Sequence, residues 1–275
     1  MKNPIPKNQK IKKKGGLDLE IIPAILPKSF AHLEQEVDFV KRAIKETAQY
    51  VQVDIVDGIF ATSKTWPYNH ESIDMWDLLV EQEIGLPNWD VVSYEIDLMV
   101  KNQLTDSYKW ISAGASRLIG HIEAFDKNFT NQINLDQYTK MTREPGYIFD
   151  LDIAELRKFI ELKKEFGIEI VLSLNPSTKT DIIEPFLSEI DGVQFMGNDR
   201  IGYHGVELDE CILKSIETLR KKQPTMPIGI DIGVNFKTLE KLKLSGISRF
   251  SSGSTILKSD DPKKTILDML RVLES

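Results

Sequence analysis

The sequence predicts an α/β fold, and within that class a (β/α)8 TIM barrel. From residue 18 onward, short β-rich runs alternate with longer segments of helical periodicity, as in right-handed βαβ units around a parallel sheet. Eight runs of each kind in about 255 residues match such a barrel in number and size. No linker or shift in composition divides residues 18–275, so we expect one domain. A doubly wound open sheet is the alternative.

The strand predictions begin from the run at residues 50–55, which is rich in β-branched side chains and apolar on both faces. A parallel strand that is covered by helices on both sides has this pattern. In chain order, the predicted strands cover residues 20–25, 50–55, 89–98, 117–122, 168–174, 192–196, 228–232 and 248–251.

The helix predictions cover the segments between these strands, where apolar residues recur with a helical period. In chain order they are residues 30–46, 72–83, 104–112, 151–166, 180–189, 208–222, 236–245 and 261–274.

One connection, at about residues 123–149, is unusually long and lacks convincing periodicity. Loops of this length are uncommon unless they are functional or disordered. Because it follows the C-terminal end of a strand, it is expected over the active-site face of a barrel. A flap that covers the substrate and a plain surface insertion are both consistent with the sequence.

The overall composition indicates a soluble, cytoplasmic globular protein. The net charge is −7, which argues against broad contact with nucleic acid. Cys211 is the only cysteine, which is typical of a reducing compartment, and no apolar run is long enough to span a membrane. Residues 1–17 are predicted to be a disordered basic arm, with six lysines, rather than a nucleic-acid or membrane contact.

Polar side chains mark the ends of five predicted strands. Strands two, three and seven end near Asp54, Asp97 and Asp231, and strands four and five end near His121 and Asn175. In a barrel these side chains converge on one mouth. Buried carboxylates must bind a cation, share protons, or pair with Lys or Arg.

These acids are consistent with two kinds of chemistry. Gln52 lies two residues before Asp54 and therefore faces the same side of the strand. A hard divalent ion such as Mg2+ or Mn2+ suits an all-oxygen set of Gln52, Asp54, Asp97 and Asp231. Two carboxylates on opposite sides of a planar substrate would instead act as base and acid. An isolated aspartate at a strand end is usually a turn residue, which is our interpretation of Asp57.

The ends of the last two strands predict a phosphate site. Residues 231–235 and 251–254 place glycine or small side chains where a strand meets a helix. Exposed backbone N–H groups bind anions there, and barrels commonly bind phosphate in these two loops. Glycine at a helix start also serves ordinary turns. The loop at residues 197–205 is expected to close over the same phosphate.

A series of motifs is similar to those of a known family. They lie at residues 22–26 (IPAIL), 52–60 (QVDIVDGIF), 97–100 (DLMV), 121–124 (HIEA), 174–178 (LNPST), 230–235 (IDIGVN) and 252–254 (SGS). In order and spacing they resemble the ribulose-phosphate 3-epimerase family, from about Ile21 to the C-terminus.

The resemblance implies a TIM barrel of the ribulose-phosphate-binding type that acts in pentose phosphate metabolism. Such an enzyme binds a phosphorylated ketose, such as ribulose 5-phosphate, and a divalent metal. It inverts carbon 3 by proton transfer between two aspartates through a metal-stabilised enediolate. Asp54 and Asp231 match those two aspartates, which are also metal ligands. The implied substrate and phosphate contacts are Met99, His121, Asn175, Met196, Gly202, Gly205, Gly233, Ser252, Gly253 and Ser254.

The chain departs from the family at several positions. Gln52 and Asp97 replace two histidine ligands, Ala24 replaces a serine, and residues 198–205 replace the N-P-G-F-G-G segment. Loss of two imidazoles favours Mg2+ or Mn2+ over Zn2+ or Fe2+. Three interpretations follow: an epimerase with a harder metal, an isomerase for another phosphosugar, or a catalytically degenerate phosphosugar-binding paralogue. The last of these would act as a sensor or interaction protein. A homo-oligomer is consistent with all three.

Overall fold

Eight parallel strands close into a barrel in sequential order in a computed structural model that describes residues 18–47, 50–71, 73–130 and 132–274. The predicted TIM barrel is therefore confirmed. The arm predicted at residues 1–17 lies outside the described residues. The strands are β1 Glu20–Ile25, β2 Tyr50–Val56, β3 Ser93–Met99, β4 Arg117–His121, β5 Glu169–Leu174, β6 Gly192–Met196, β7 Ile228–Asp231 and β8 Arg249–Ser252.

Helices surround this barrel on its outer face. They are α1 Phe30–Thr47, α2 Ile73–Val80, α3 Gln103–Ala113, α4 Leu135–Thr142, α5 Ile153–Phe166, α6 Ile212–Lys222, α7 Leu239–Ser245, α8 Ser254–Leu257 and α9 Pro262–Glu274. Within the described part of the chain, no helix has the length and apolar character needed to cross a membrane.

Two predicted elements differ clearly from the structure. The α-helix predicted at 180–189 is a 3₁₀ helix, Thr180–Phe186, because Pro185 inside it has no N–H to donate. The third strand begins at Ser93 rather than residue 89, since the N–H groups of Trp89 and Val91 are bonded to carbonyls of a preceding turn.

The long connection after β4 contains a helix that the sequence pattern did not predict. It starts with a 3₁₀ turn, Ile122–Phe125, and continues to α4, which has only eight residues. Asn134 caps α4 by accepting from the N–H of Gln137, and the Gln137 side chain returns the bond in a capping box. A helix of about two turns is too short for its apolar periodicity to be recognised in the sequence. The local sequence feature that marks its start is the capping box.

The main apolar core lies between the barrel wall and the helices. Outward-facing strand residues such as Val53, Ile96 and Leu172 pack there against helix residues such as Leu33 and Phe159. The inside of the barrel is polar by contrast, because the alternate residues of each strand face inward. Two charged layers lie inside it, one at each end of the strands.

The layer at the N-terminal ends of the strands is an ion network, which we call the lower network. Arg117 Nε lies 2.8 Å from Glu169 Oε2, and another Arg117 nitrogen contacts Glu95. Arg249 contacts Glu169 at 3.1 Å and Glu20 at 3.3 Å. Each of these carboxylates therefore contacts a guanidinium.

A second apolar cluster, the mouth cluster, lies over the C-terminal ends of the strands. It joins the connection after β4 to the loops after β2 and β6, because the Phe129 ring lies 5.4 Å from that of Phe60. Its buried members are Val56, Phe60, Ala61, Met99, Ala124, Phe129, Leu135, Tyr138, Met196, Ile201 and Ile232.

Candidate active site

Three aspartates meet inside the upper end of the barrel. Asp54 on β2 and Asp97 on β3 are partners in the strand register, and Asp231 is the last residue of β7. All three are buried, and each can offer one carboxylate oxygen such that these atoms lie within 4.8 Å of one another. We call these residues the acid cluster. Its convergence matches the expectation from strand-end residues.

Two members of the acid cluster, Asp54 and Asp231, hold protons more tightly than ordinary carboxyl groups. Burial raises the pKa of Asp54 well above its usual range, and the carboxylates of Asp231 and Asp97 raise it further, against the hydrogen bond from Gln52. Burial also raises the pKa of Asp231 to about 7, with a contribution from Asp97 and against the bond from the N–H of Ile232. Near neutral pH the cluster can therefore both give and accept a proton.

Asp97 is the member with the most hydrogen-bond partners. His121 Nε2 lies 2.8 Å from Asp97 Oδ1, and Gln194 Nε2 donates to Asp97 Oδ2 at 3.1 Å. Burial lowers the pKa of His121, but the carboxylate of Asp97, with contributions from Glu123 and Asp231, raises it by more, so the net pKa is raised. Sequence reasoning missed Gln194, although its position two residues before Met196 places it on the inner face of β6.

Gln52 supports Asp54 from below. Its Nε2 donates to Asp54 Oδ1 at 2.7 Å, and its Oε1 accepts from Ser251 Oγ at 2.6 Å. The amide in this orientation directs a hydrogen-bond donor, rather than its oxygen, toward the acid cluster. Its predicted role as a metal ligand stays a prediction. Ser251, which the sequence placed only in the predicted phosphate segment, fixes this orientation.

His121 and Asn175 both lie close to the buried carboxylate of Glu123. The Asn175 N–H donates to Glu123 Oε1 at 2.8 Å, and His121 Nδ1 lies 4.0 Å from Glu123 Oε2. His121 Nδ1, Glu123 Oε2 and the Asn175 side-chain amide are buried without a hydrogen-bond partner among the described residues. Such groups normally bond to ordered water.

A cavity of about 190 Å³ extends from Asp54 and Asp231 to the loops after β7 and β8. Of the ten predicted substrate contacts, all but His121, Asn175 and Met196 line it. Those on the lining are Met99, Gly202, Gly205, Gly233, Ser252, Gly253 and Ser254, and the lining also includes Ala24, Tyr203 and His204.

Asp57 has the structural role expected of a turn residue. Its Oδ1 accepts from the N–H groups of Ile59 at 2.7 Å and Phe60 at 2.8 Å. Its Oδ2 accepts from the N–H of Lys101 at 2.8 Å. These bonds hold the loop that carries Phe60, whose ring lies 4.9 Å from that of His121.

The acid cluster fits a divalent cation. Among the described residues, no Lys or Arg forms an ion pair with Asp54, Asp97 or Asp231. Of these three aspartates, only Asp97 lies within ion-pair distance of His121. Three buried carboxylates with one imidazolium leave negative charge uncompensated, which is unfavourable unless protons or a cation neutralise it. Oxygen ligands of this kind suit a hard ion.

Comparison with known proteins confirms the resemblance to the epimerase family. Residues 131–257 match the family model described as the ribulose-phosphate 3 epimerase family. The chain is 24% identical over 248 residues to ribulose-phosphate 3-epimerase of Schizosaccharomyces pombe, covering 90% of each protein. It is also 24% identical over 262 residues to that of Helicobacter pylori, covering 94% of this chain and 99% of the relative.

Solved structures agree on the fold. The crystal structure of 3-hexulose-6-phosphate synthase from Salmonella typhimurium superposes with a TM-score of 0.58 and 14% identity, covering 93% of this chain and 99% of that one. At this identity the similarity shows the barrel architecture alone.

Proposed function

We propose that this relative of the ribulose-phosphate 3-epimerases is an isomerase that inverts a carbon next to the carbonyl of a phosphorylated ketose. The observation that carries the proposal is the pair of buried aspartates with raised pKa values on β2 and β7. The strands β1 and β8 separate them on the shorter path around the barrel, so the two carboxyl groups approach the cavity from different sides.

The protonation of the pair suits a two-base reaction. In one direction Asp231, with a pKa near 7, takes the proton as the carbon–hydrogen bond breaks, and the electron pair moves into an enediolate. Asp54, whose pKa is raised well above its usual range, gives its proton to the opposite face, where the new carbon–hydrogen bond forms. The reverse reaction exchanges the two roles, and exchange with solvent resets them.

A metal ion has a natural place in this site. Asp54, Asp97 and Asp231 would hold a hard divalent cation, for which we favour Mg2+ or Mn2+. When bound, it supplies electrophilic stabilisation for negative charge that develops on the substrate oxygens. His121 and Gln194 orient the Asp97 carboxylate, and Gln52 orients that of Asp54.

The substrate we propose is ribulose 5-phosphate or a close relative, with its phosphate at the loops after β7 and β8. The small residues Gly233, Ser252 and Gly253 let the backbone of these loops line the cavity. The names of the relatives support a phosphorylated ketose. We propose a cytoplasmic setting, in keeping with the single exposed cysteine, Cys211.

Isotope exchange tests the proposal directly. The protein is incubated with ribulose 5-phosphate in deuterium oxide, with Mg2+, Mn2+ or Zn2+ added in turn, and deuterium at carbon 3 is followed by NMR. We expect exchange in the wild type and a loss of at least about a hundredfold in Asp231→Asn and Asp54→Asn. Asp181→Asn, in the 3₁₀ helix outside the barrel mouth, is the matched control and should retain exchange.

Absence of hydrogen exchange would contradict the proposed function. If a folded sample exchanges no hydrogen with several ketose phosphates and with each metal, the epimerase proposal is wrong. Calorimetric binding of the sugar phosphate without exchange would instead favour the degenerate phosphosugar-binding paralogue.

A further inference from the structure

The short segment from Gly202 to Gly205 presents two side chains, Tyr203 and His204, to the cavity. Gly202 and Gly205 have φ values of 80° and 77°, which favour glycine. The Gly202 carbonyl accepts from Ser63 Oγ at 2.8 Å, and the Tyr203 hydroxyl lies 2.8 Å from Thr62 Oγ1. These bonds anchor the segment to the loop after β2.

His204 faces the end of the cavity that lies away from the acid cluster. A Cβ placed on Gly253 would lie 2.8 Å from His204 Nε2, so the imidazole lies directly against the loop after β8. The added Cβ would also lie 3.0 Å from the Ala24 carbonyl oxygen, so a larger residue at position 253 would displace the ring or this backbone. The proton-transfer mechanism gives His204 no role, although it lines the same cavity as Asp54 and Asp231.

Two lysines contribute positive charge near this imidazole. Lys28 follows β1 and Lys258 follows α8, so each comes from a loop next to the one on which Gly253 lies. Burial, followed by the charges of Lys258, His32 and Lys28, lowers the pKa of His204 to about 4. His204 is therefore neutral at pH 7 and offers one ring N–H, while the two ammonium groups provide the charge.

The lysines are available to an outside anion. Both are exposed, and neither forms an ion pair with a carboxylate among the described residues. Glu207, which also lines the cavity, is exposed and lies on the same loop as His204.

We propose that His204, Lys28 and Lys258, which we call the cationic rim, bind the phosphate of the substrate and select dianionic sugar phosphates. This inference deepens the proposed function and rests on it for the identity of the sugar. The backbone of the loops after β7 and β8 accounts for part of the phosphate's oxygens. His204 adds a directed N–H donor, and Lys28 and Lys258 add point charges that a neutral sugar would not use.

Calorimetric titration with inorganic phosphate tests the rim without any need for turnover. We expect His204→Ala to bind phosphate about tenfold more weakly, as is typical when a hydrogen bond to a charged group is lost. His204→Gln, which keeps an N–H donor, should recover part of this loss. The double variant Lys28→Met/Lys258→Met should also lose about tenfold and depend less on salt than the wild type.

A lysine at the other end of the barrel provides the matched control. Lys164, an exposed residue in the last turn of α5, is replaced in Lys164→Met, which removes the same charge far from the cavity. Its phosphate affinity should equal that of the wild type. Unchanged affinity in the His204 and double-lysine variants overturns the rim, and so does an equal loss in Lys164→Met.

The sugar arm of the experiment separates this inference from the proposed function. Ribulose 5-phosphate should lose affinity in the rim variants in parallel with inorganic phosphate, whereas ribulose without phosphate should not respond. If the wild type exchanges no hydrogen but the variants still lose phosphate affinity, the epimerase proposal fails and the rim stands. If exchange occurs and KM is unchanged in every rim variant, the proposed role of the cationic rim is wrong, whereas the epimerase proposal stands.

Discussion

The two ends of the barrel interior both bury charged side chains, but they balance charge in opposite ways. At the lower end, Arg117 lies between Glu95 and Glu169, and Arg249 lies between Glu169 and Glu20. At the upper end, Asp54, Asp97 and Asp231 meet only one cationic side chain among the described residues, that of His121.

This difference separates structure from function within one barrel. A buried ion network with matched partners needs no explanation beyond specific packing, since its charges neutralise one another. A buried cluster with excess negative charge is unfavourable in the folded state, and its pKa values report that cost. The charges of the lower network are therefore matched within the structure, whereas the acid cluster lowers stability unless protons or a cation neutralise it.

The largest expected effect comes from breaking the lower network. Arg117→Met leaves Glu95 buried without its closest partner, and we expect a loss of about 3–5 kcal/mol in the free energy of unfolding. Urea denaturation followed by circular dichroism measures it. The double variant Arg117→Met/Glu95→Gln should recover part of the loss. A single variant within about 1 kcal/mol of the wild type would contradict the structural role.

Neutralising a carboxylate of the acid cluster should stabilise the fold, in contrast to Arg117→Met, and the size of the effect should depend on pH. The pKa of Asp231 is about 7 in the folded protein and near 4 when unfolded, so the folded state binds the extra proton. Its stabilising contribution is complete below about pH 4 and is lost as the pH rises toward 7. The free energy of unfolding of Asp231→Asn should therefore rise relative to that of the metal-free wild type, by about 2–4 kcal/mol in total as the pH increases from 4 to 7.

Urea denaturation in the presence of a chelator, at intervals from pH 4 to pH 8, measures that difference. A constant difference between the two proteins over this range would show that Asp231 does not carry the excess charge.

Binding of a metal ion should balance the charge of the acid cluster, as the arginines balance that of the lower network, and should therefore stabilise the fold. A divalent cation that binds only the folded acid cluster at a hundred times its Kd should stabilise the wild type by about 3 kcal/mol. Thermal unfolding with Mn2+ measures this, and Asp97→Asn should reduce the shift because it removes one of the three carboxylates. Glu95→Gln, which alters the lower network instead, should keep it. Equal shifts in wild type and Asp97→Asn would exclude Asp97 as a ligand.

The smallest effect is expected for an ion pair outside both layers. Lys222 contacts Glu184 on the surface, where both side chains are largely exposed. Because solvent screens such pairs, Glu184→Gln should change the free energy of unfolding by less than about 1 kcal/mol. Urea denaturation in parallel with Arg117→Met provides the comparison. A loss as large as that of Arg117→Met would mean that burial does not explain the strength of the lower network.

Much of the upper end could be predicted because strands alternate their faces. Once the run at residues 50–55 is identified as a strand, Gln52 and Asp54 must share the inner face, and the same reasoning applies to Asp97 and Asp231. The barrel order then brings the ends of these strands to one mouth.

The partners of these residues could not be predicted, because they come from distant parts of the chain. Gln194 bonds to Asp97 across 97 positions of sequence, and Ser251 bonds to Gln52 across 199. Alternation predicts the face of a strand but not the rotamer or the amide orientation. The predicted oxygen ligand Gln52 therefore donates an N–H in the structure.

The connection after β4 packs against the residues that support the acid cluster. Phe129 of that connection packs on Phe60, and the Phe60 ring lies 4.9 Å from that of His121, the partner of Asp97. This connection is thus part of the packing behind the acid cluster. Substitutions in it should therefore reach His121 and Asp97 through packing, so a search for variants of the proposed activity should cover the connection as well as the cavity.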